Sequence, residues 1–303
     1  MSTNLPSDSF ACTLATGDLT AVFLPGRGML GVSFRHRGAE LLRRVDDLEV
    51  AAQKGRTAGI PLLHPWANRL AGFQYRAAGR RVELDRSSPL LHLDDRGLPM
   101  HGVPWSLLAW DVIKAGSDRL VARLEWSRSD LLAIFPFRHR LEMTATLASD
   151  CLTLETTLIA AADSPVPVTF GFHPYIGLPN LPRAEWRLQL PAMRHFVLDR
   201  AGIPTGVEEA FGPFDSRLDN LHFDDGFAVP EERATFSLTG ADRRITVEFL
   251  GGYRYVQIFA PKGKDLIAVE PMTAPTNALV SGRGLTFVDP GGQFQAVFQL
   301  RVD

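Results

Sequence analysis

Residues 140–158 read RLEMTATLASDCLTLETTL, and they decide the fold class. Leu141, Met143, Ala145 and Leu147 alternate with Arg140, Glu142, Thr144 and Thr146. That period of two puts the apolar side chains on one face of a strand and the polar ones on the other. The turn residues Ala148, Ser149, Asp150 and Cys151 separate this run from the next, Leu152 to Leu158, so the pair reads as a β-hairpin. Upstream, Leu120, Ala122, Leu124 and Trp126 share one face of LVARLEW, while Arg123 and Glu125 take the other. Phe73 and Tyr75, then Val82 and Leu84, flank Ala78-Gly79-Arg80 as a second hairpin. Ile245, Val247 and Phe249, then Val256 and Ile258, flank Gly251-Gly252 and suggest a third.

Glycine (26) and proline (21) are spread along all 303 residues and punctuate short segments, the rhythm of an all-β protein. Helical spacing occurs once, at Leu41, Val45 and Leu48 within Ala39 to Lys54, which reads as one helix or two strand fragments. Without long capped amphipathic helices a parallel α/β fold is disfavoured. The expectation is one domain over residues 1–303: a large antiparallel β-sandwich with few short helices, its sheets about 10 Å apart.

Lys plus Arg is 32 against 34 for Asp plus Glu, a net charge of -2, which excludes a basic face for nucleic acid. The apolar run Leu131 to Phe137 is too short to span a bilayer, so no membrane partner is expected. The opening MSTNLPSDSF lacks a secretory pattern, and Cys12 and Cys151 imply neither a disulfide framework nor a cysteine metal site. A cytoplasmic protein with free thiols is expected.

Candidate chemistry concentrates in a few places. Among the eight histidines, His36 and His139 lie between arginines and read as solvated. His92 lies near Asp94 and Asp95 without zinc-like spacing, so no metal site is expected. His101 precedes Gly102, where backbone and ligand can approach closely. His173 in TFGFHPYIGLP precedes Pro174, which holds it on extended backbone beside Tyr175. Glu270 ends the apolar stretch Leu266 to Val269 and precedes Pro271. A carboxyl buried there would be a better base near neutral pH; the alternative is a rim acid paired with an arginine. Trp66, Asn68 and Arg69 combine an aromatic wall with fixed donors, as sugar hydroxyls and ring C–H groups require. Asp224 reads as an acceptor in a turn-rich stretch.

Seven segments together resemble the aldose 1-epimerase (galactose mutarotase) family. They are PWANRLAGFQY (65–75), His101-Gly102, GFHPYIGLP (171–179), IPTG (203–206), FDDGF (223–227), VQIFAP (256–261) and VEPMTAPTNAL (269–279). Their order over roughly residues 60 to 290 makes the match specific. The resemblance implies a large antiparallel β-sandwich acting on a small-molecule sugar, with no cofactor. It implies His173 as general acid, Glu270 as general base and His101 as a hydrogen-bonding partner near the ring oxygen and anomeric hydroxyl. Asn68, Arg69, Asp224 and Gln257 would hold substrate hydroxyls. The implied reaction interconverts the α and β anomers of free aldohexoses such as galactose or glucose. Two alternatives keep the fold: a mutarotase of phosphorylated or other anionic sugars, for which Arg76, Arg80 and Arg81 are the basic candidates, and a carbohydrate-binding protein without activity. A glycoside hydrolase would need two carboxylates at the bond, where the best pair here is His173 and Glu270.

Overall fold

The computed structural model describes residues 10–303. The alternating segments form two large antiparallel sheets. The first has nine strands and carries the hairpin of strands His139–Leu147 and Cys151–Ala160 near its centre, flanked by Arg119–Trp126 and Gln293–Val302. The second runs from Pro204–Phe211 through Met193–Leu198, Phe223–Ala228, Tyr255–Ala260 and Ile267–Met272 to the short strands Gly171–Phe172 and Leu62–Leu63. A smaller four-stranded sheet, Cys12–Thr16 to Ala39–Glu40, joins the second through single bridges at Gly31–Ile60 and Leu42–Ile176. Among the described residues the α-helices are three and short: Leu48–Gln53, Ser129–Ile134 and Ala278–Ser281. None is long and apolar enough to cross a membrane.

One apolar cluster contains the inward faces of both sheets, with Trp126, Trp186, Phe170, Phe172 and Phe298 fully buried. Burying each such side chain contributes roughly 1.5–3 kcal/mol, so this face dictates the register.

Two expectations fail. Arg243–Gly251 and Tyr255–Ala260 do not pair; the first lies in the nine-stranded sheet and the second in the other. Gly252, at φ +79°, turns the chain from one sheet into the next, and a Cβ there would lie 2.5 Å from the Gln295 carbonyl. Alternation identifies strands, but a glycine pair between two of them serves a crossover as well as a hairpin. Second, His36 and His139 are buried, not solvated. Each stands on the inward parity of its strand while the arginines beside it point out. His139 stacks on Trp126 and lies 2.9 Å, Nε2 to Nε2, from the equally buried His64.

The stretch Ala39 to Lys54 is neither one helix nor two strands: a two-residue strand Ala39–Glu40 is followed by a helix, Leu48–Gln53, whose N-terminus is capped by the Asp47 carboxylate. The hairpin of Gln74–Ala77 and Arg80–Glu83 forms as expected.

Candidate active site

Period two builds the floor of the site. In Ile267–Met272, Ile267 and Val269 enter the main core, so Glu270 points to the opposite face between Ala268 and Met272. In Tyr255–Ala260, Val256, Ile258 and Ala260 are core, which sends Gln257 to that same face. The register pairs Gln257 with Glu270 directly, and Asp224 lies on the next strand opposite Phe259. Asp224 is therefore on a strand, Phe223–Ala228, and not in a turn. Gln257 Nε2 donates to Asp224 Oδ1 at 2.8 Å. Its neighbour Asp225 turns to the other side and pairs with His195, at 3.0 Å from Nε2.

Loops supply the walls. The His64–Pro65 peptide is cis, and Asn68 and His101 both occupy left-handed backbone, at φ 56° and 60°. These two loops clasp each other. His101 N–H donates to the Asn68 carbonyl at 2.9 Å, and Asn68 N–H donates to His101 Nδ1 at 3.2 Å. Accepting at Nδ1 leaves the ring proton on Nε2, so His101 is a neutral donor. Burial, seconded by His92 and Arg69, pushes its pKa down to about 3, in agreement. Gly102, at φ +67°, packs on the His64–Pro65 backbone so closely that a Cβ would lie 2.3 Å from the His64 carbonyl oxygen.

Arg69 Nε donates to Asp94 Oδ2 at 2.7 Å, and Asp94 Oδ1 accepts from the backbone N–H groups of Arg96 and Leu98. Burial alone would raise the Asp94 pKa, but those donors and Arg69 hold it below the ordinary range. The Arg69 carbonyl accepts from Asn277 N–H, and Asn277 Oδ1 accepts from Ala71 N–H, so the Asn68-Arg69 loop is pinned from both sides.

His173 and Glu270 meet at the centre. His173 Nε2 lies 3.0 Å from Glu270 Oε1, with the two side chains 7% and 2% exposed. The imidazole stacks on Tyr175, 4.1 Å between centroids, and Nε2 is 3.1 Å from the Tyr175 hydroxyl. Burial pushes the His173 pKa well below its ordinary value, helped by His101 and Arg44. Burial pushes Glu270 well above, helped by Asp224 and opposed by Arg69. Two groups shifted toward each other and in contact titrate as a pair rather than singly. Glu270 Oε2 is buried and makes no hydrogen bond among the described residues, in a residue that lines the cavity.

All seven residues singled out in the sequence, Asn68, Arg69, His101, His173, Asp224, Gln257 and Glu270, line one cavity of about 780 Å³. Arg76, Arg80 and Arg81 do not line it; they lie on the Gln74–Glu83 hairpin, where Arg80 binds the Pro136 carbonyl and Arg81 binds Gln74. The cavity instead carries four arginines (44, 56, 69, 96) against six carboxylates (46, 47, 94, 95, 224, 270), so its charge does not favour an anion. Asp94, Arg44 and Asn277 are contributors the sequence reading missed. The Asp-Asp-Arg-Gly turn at 94–97 was a visible signal for a loop, but nothing in the sequence ties it to Arg69.

Fold and cavity define an antiparallel β-sandwich of the galactose mutarotase type. Residues 12–301 match the family described as aldose 1-epimerase, and the chain belongs to that family. It is 25% identical over 314 residues to the uncharacterized protein YihR of Escherichia coli (strain K12), covering 98% of this chain and 95% of the other. Among solved structures, the Slr1438 protein of Synechocystis sp. PCC 6803 is 26% identical, with a TM-score of 0.78 and coverage of 98% and 97%. A galactose mutarotase-like protein of Clostridium acetobutylicum shares the fold at 18% identity, with a TM-score of 0.82 and coverage of 98% and 96%.

Proposed function

We propose that the protein is a mutarotase of free aldohexoses such as galactose or glucose, with Glu270 as general base and His173 as general acid. The observation that carries this reading is the buried His173–Glu270 contact at 3.0 Å on the floor of a cavity lined with hydroxyl-binding groups. Glu270 takes the proton of the C1 hydroxyl; C1=O forms as the C1–O5 bond breaks; His173 gives its proton to O5. Rotation about C1–C2 presents the other carbonyl face, and closure reverses each step, so the dyad ends with the one proton it began with. Each proton transfer contributes about 10²–10⁴-fold.

An ionised glutamate beside an imidazolium holds the same number of protons as the neutral pair, so the one-proton dyad is the competent state. The pH–rate profile is then a bell near neutrality whose two limbs belong to the pair rather than to single residues. His101, a neutral Nε2 donor, suits an oxygen near the anomeric centre. Asn68, Arg69, Asp224 and Gln257 supply donors and acceptors for the remaining hydroxyls. The mixed charge of the cavity supports a neutral polyol over an anionic sugar.

The test is polarimetry on freshly dissolved α-D-galactose and α-D-glucose, with Glu270→Gln as control. Acceleration lost at least about 100-fold in the variant is expected. Equal decay with and without protein for both sugars would refute the reading.

A further inference from the structure

Arg44 takes no part in the proton transfers assigned to His173 and Glu270. It lies between strand Ala39–Glu40 and helix Leu48–Gln53, in left-handed backbone at φ 57°. The residues before it are stitched to the site. Arg43 N–H donates to the Tyr175 carbonyl at 2.9 Å, and Leu42 bridges Ile176. The Arg43 side chain donates to the carbonyls of Glu40, Leu42 and Asp265. The left-handed turn that follows carries the Arg44 guanidinium over the Tyr175 ring, 4.6 Å from its centroid, and Nη1 donates to the Tyr175 hydroxyl at 2.9 Å.

That hydroxyl is a junction. Thr57 Oγ1 lies 2.6 Å from it and His173 Nε2 lies 3.1 Å from it. Arg44 donates to the phenol oxygen, and the same oxygen faces His173 Nε2, so the guanidinium fixes where the hydroxyl sits against the imidazole. The tyrosine ring meanwhile covers one face of the imidazole. Arg69, on the same cavity wall, is paired with Asp94, whereas Arg44, an exposed residue at the cavity rim, has no carboxylate partner within 4 Å among the described residues. Its charge is left to act on what Tyr175 covers.

We propose that Arg44 is a positioning residue for His173, acting through Tyr175. It clamps the tyrosine ring against the imidazole, holds the hydroxyl beside Nε2, and sets a permanent positive charge on the Tyr175 side of His173. Its catalytic meaning rests on the mutarotase reading; the coupling to His173 does not. The titratable and charged groups around His173 are Glu270 on the neighbouring strand, His101 edge-on at 5.6 Å between centroids, Tyr175 and Arg44, with Asp224 and Arg69 beyond Glu270. Arg44 is the permanent cation on the tyrosine side. It disfavours the imidazolium and so makes it the stronger acid toward a ring oxygen.

The experiment compares native protein with Arg44→Met and Arg44→Lys. The His173 ring is titrated by nitrogen-detected NMR on the full chain, and kcat and KM for α-D-glucose mutarotation are measured against pH. Removing the charge raises the pH at which the dyad loses its shared proton by roughly half a unit to one unit. The alkaline limb of kcat moves up equally, KM stays within about twofold, and Arg44→Lys restores most of the shift. An unmoved His173 titration in Arg44→Met overturns the proposal, as does a raised KM with an unchanged pH profile, which would make Arg44 a substrate contact. If Arg44→Met does not fold, Arg44→Gln, which removes the charge and keeps a donor for the Tyr175 hydroxyl, must show the same upward shift. Should the native protein not accelerate mutarotation, the NMR titration still decides whether Arg44 governs His173.

Discussion

His139 offers a stability prediction whose size follows from its burial. Its Nδ1 lies 2.6 Å from the Phe137 carbonyl, which places the ring proton on Nδ1 and makes Nε2 the acceptor for His64 Nε2–H. Burial pushes the His139 pKa down to about 4, and burial with the neighbouring ring pushes His64 well below its ordinary value. Unfolded, each titrates near about 6.5. Between those values the unfolded chain binds more protons, so stability is full above about pH 6.5 and falls as pH drops. For His139 alone the loss from pH 7 to pH 5 is about 1.8 kcal/mol, and His64 acts in the same direction. The assay is urea unfolding at pH 7, 6 and 5, for the native chain and for His139→Gln. At a urea m-value of about 3 kcal/mol per molar, the His139 share is a midpoint shift of about 0.6 M. His139→Gln is less stable at pH 7 because it loses the stack on Trp126, but its acid-induced loss is smaller by that amount. Equal losses in both proteins would refute the reasoning, as would an NMR titration of His139 near its unperturbed value.

Asp94→Ala frees Arg69 from its buried ion pair. Stability falls by about 3 kcal/mol and KM for the sugar rises at least about tenfold, read by thermal unfolding and polarimetry. An unchanged KM would separate Arg69 from substrate binding. Gly102→Ala sets a Cβ against the His64 carbonyl from left-handed backbone; a loss of more than about 2 kcal/mol in unfolding free energy is expected, with reduced mutarotation from a displaced His101.

Much of this was legible because strands write themselves at period two. His139–Leu147 and Cys151–Ala160 pair where the turn between them predicted. The same parity places His139 inward; its arginine neighbours drew the opposite reading, although Leu141 and Met143 already marked the buried face. Six of the seven site residues stood out in their local sequence context and Gln257 through motif resemblance alone, and all seven converge. Sequence could not reveal that Glu270 touches His173, 97 positions away, or that Asp94 holds Arg69 and Arg44 reaches Tyr175.

By itself, then, the sequence determined the strand content, the faces of most strands and the residue types available for acid–base chemistry. Each of these depends on side-chain alternation and local backbone preference, which act over a few residues. Only the tertiary structure decided which sheet each strand joins, as at Gly252, and which charges become neighbours. Burial is the physical reason: excluding water from the His173–Glu270 contact is a collective act of two sheets and several loops. That exclusion pushes the imidazole down and the carboxyl up, toward each other.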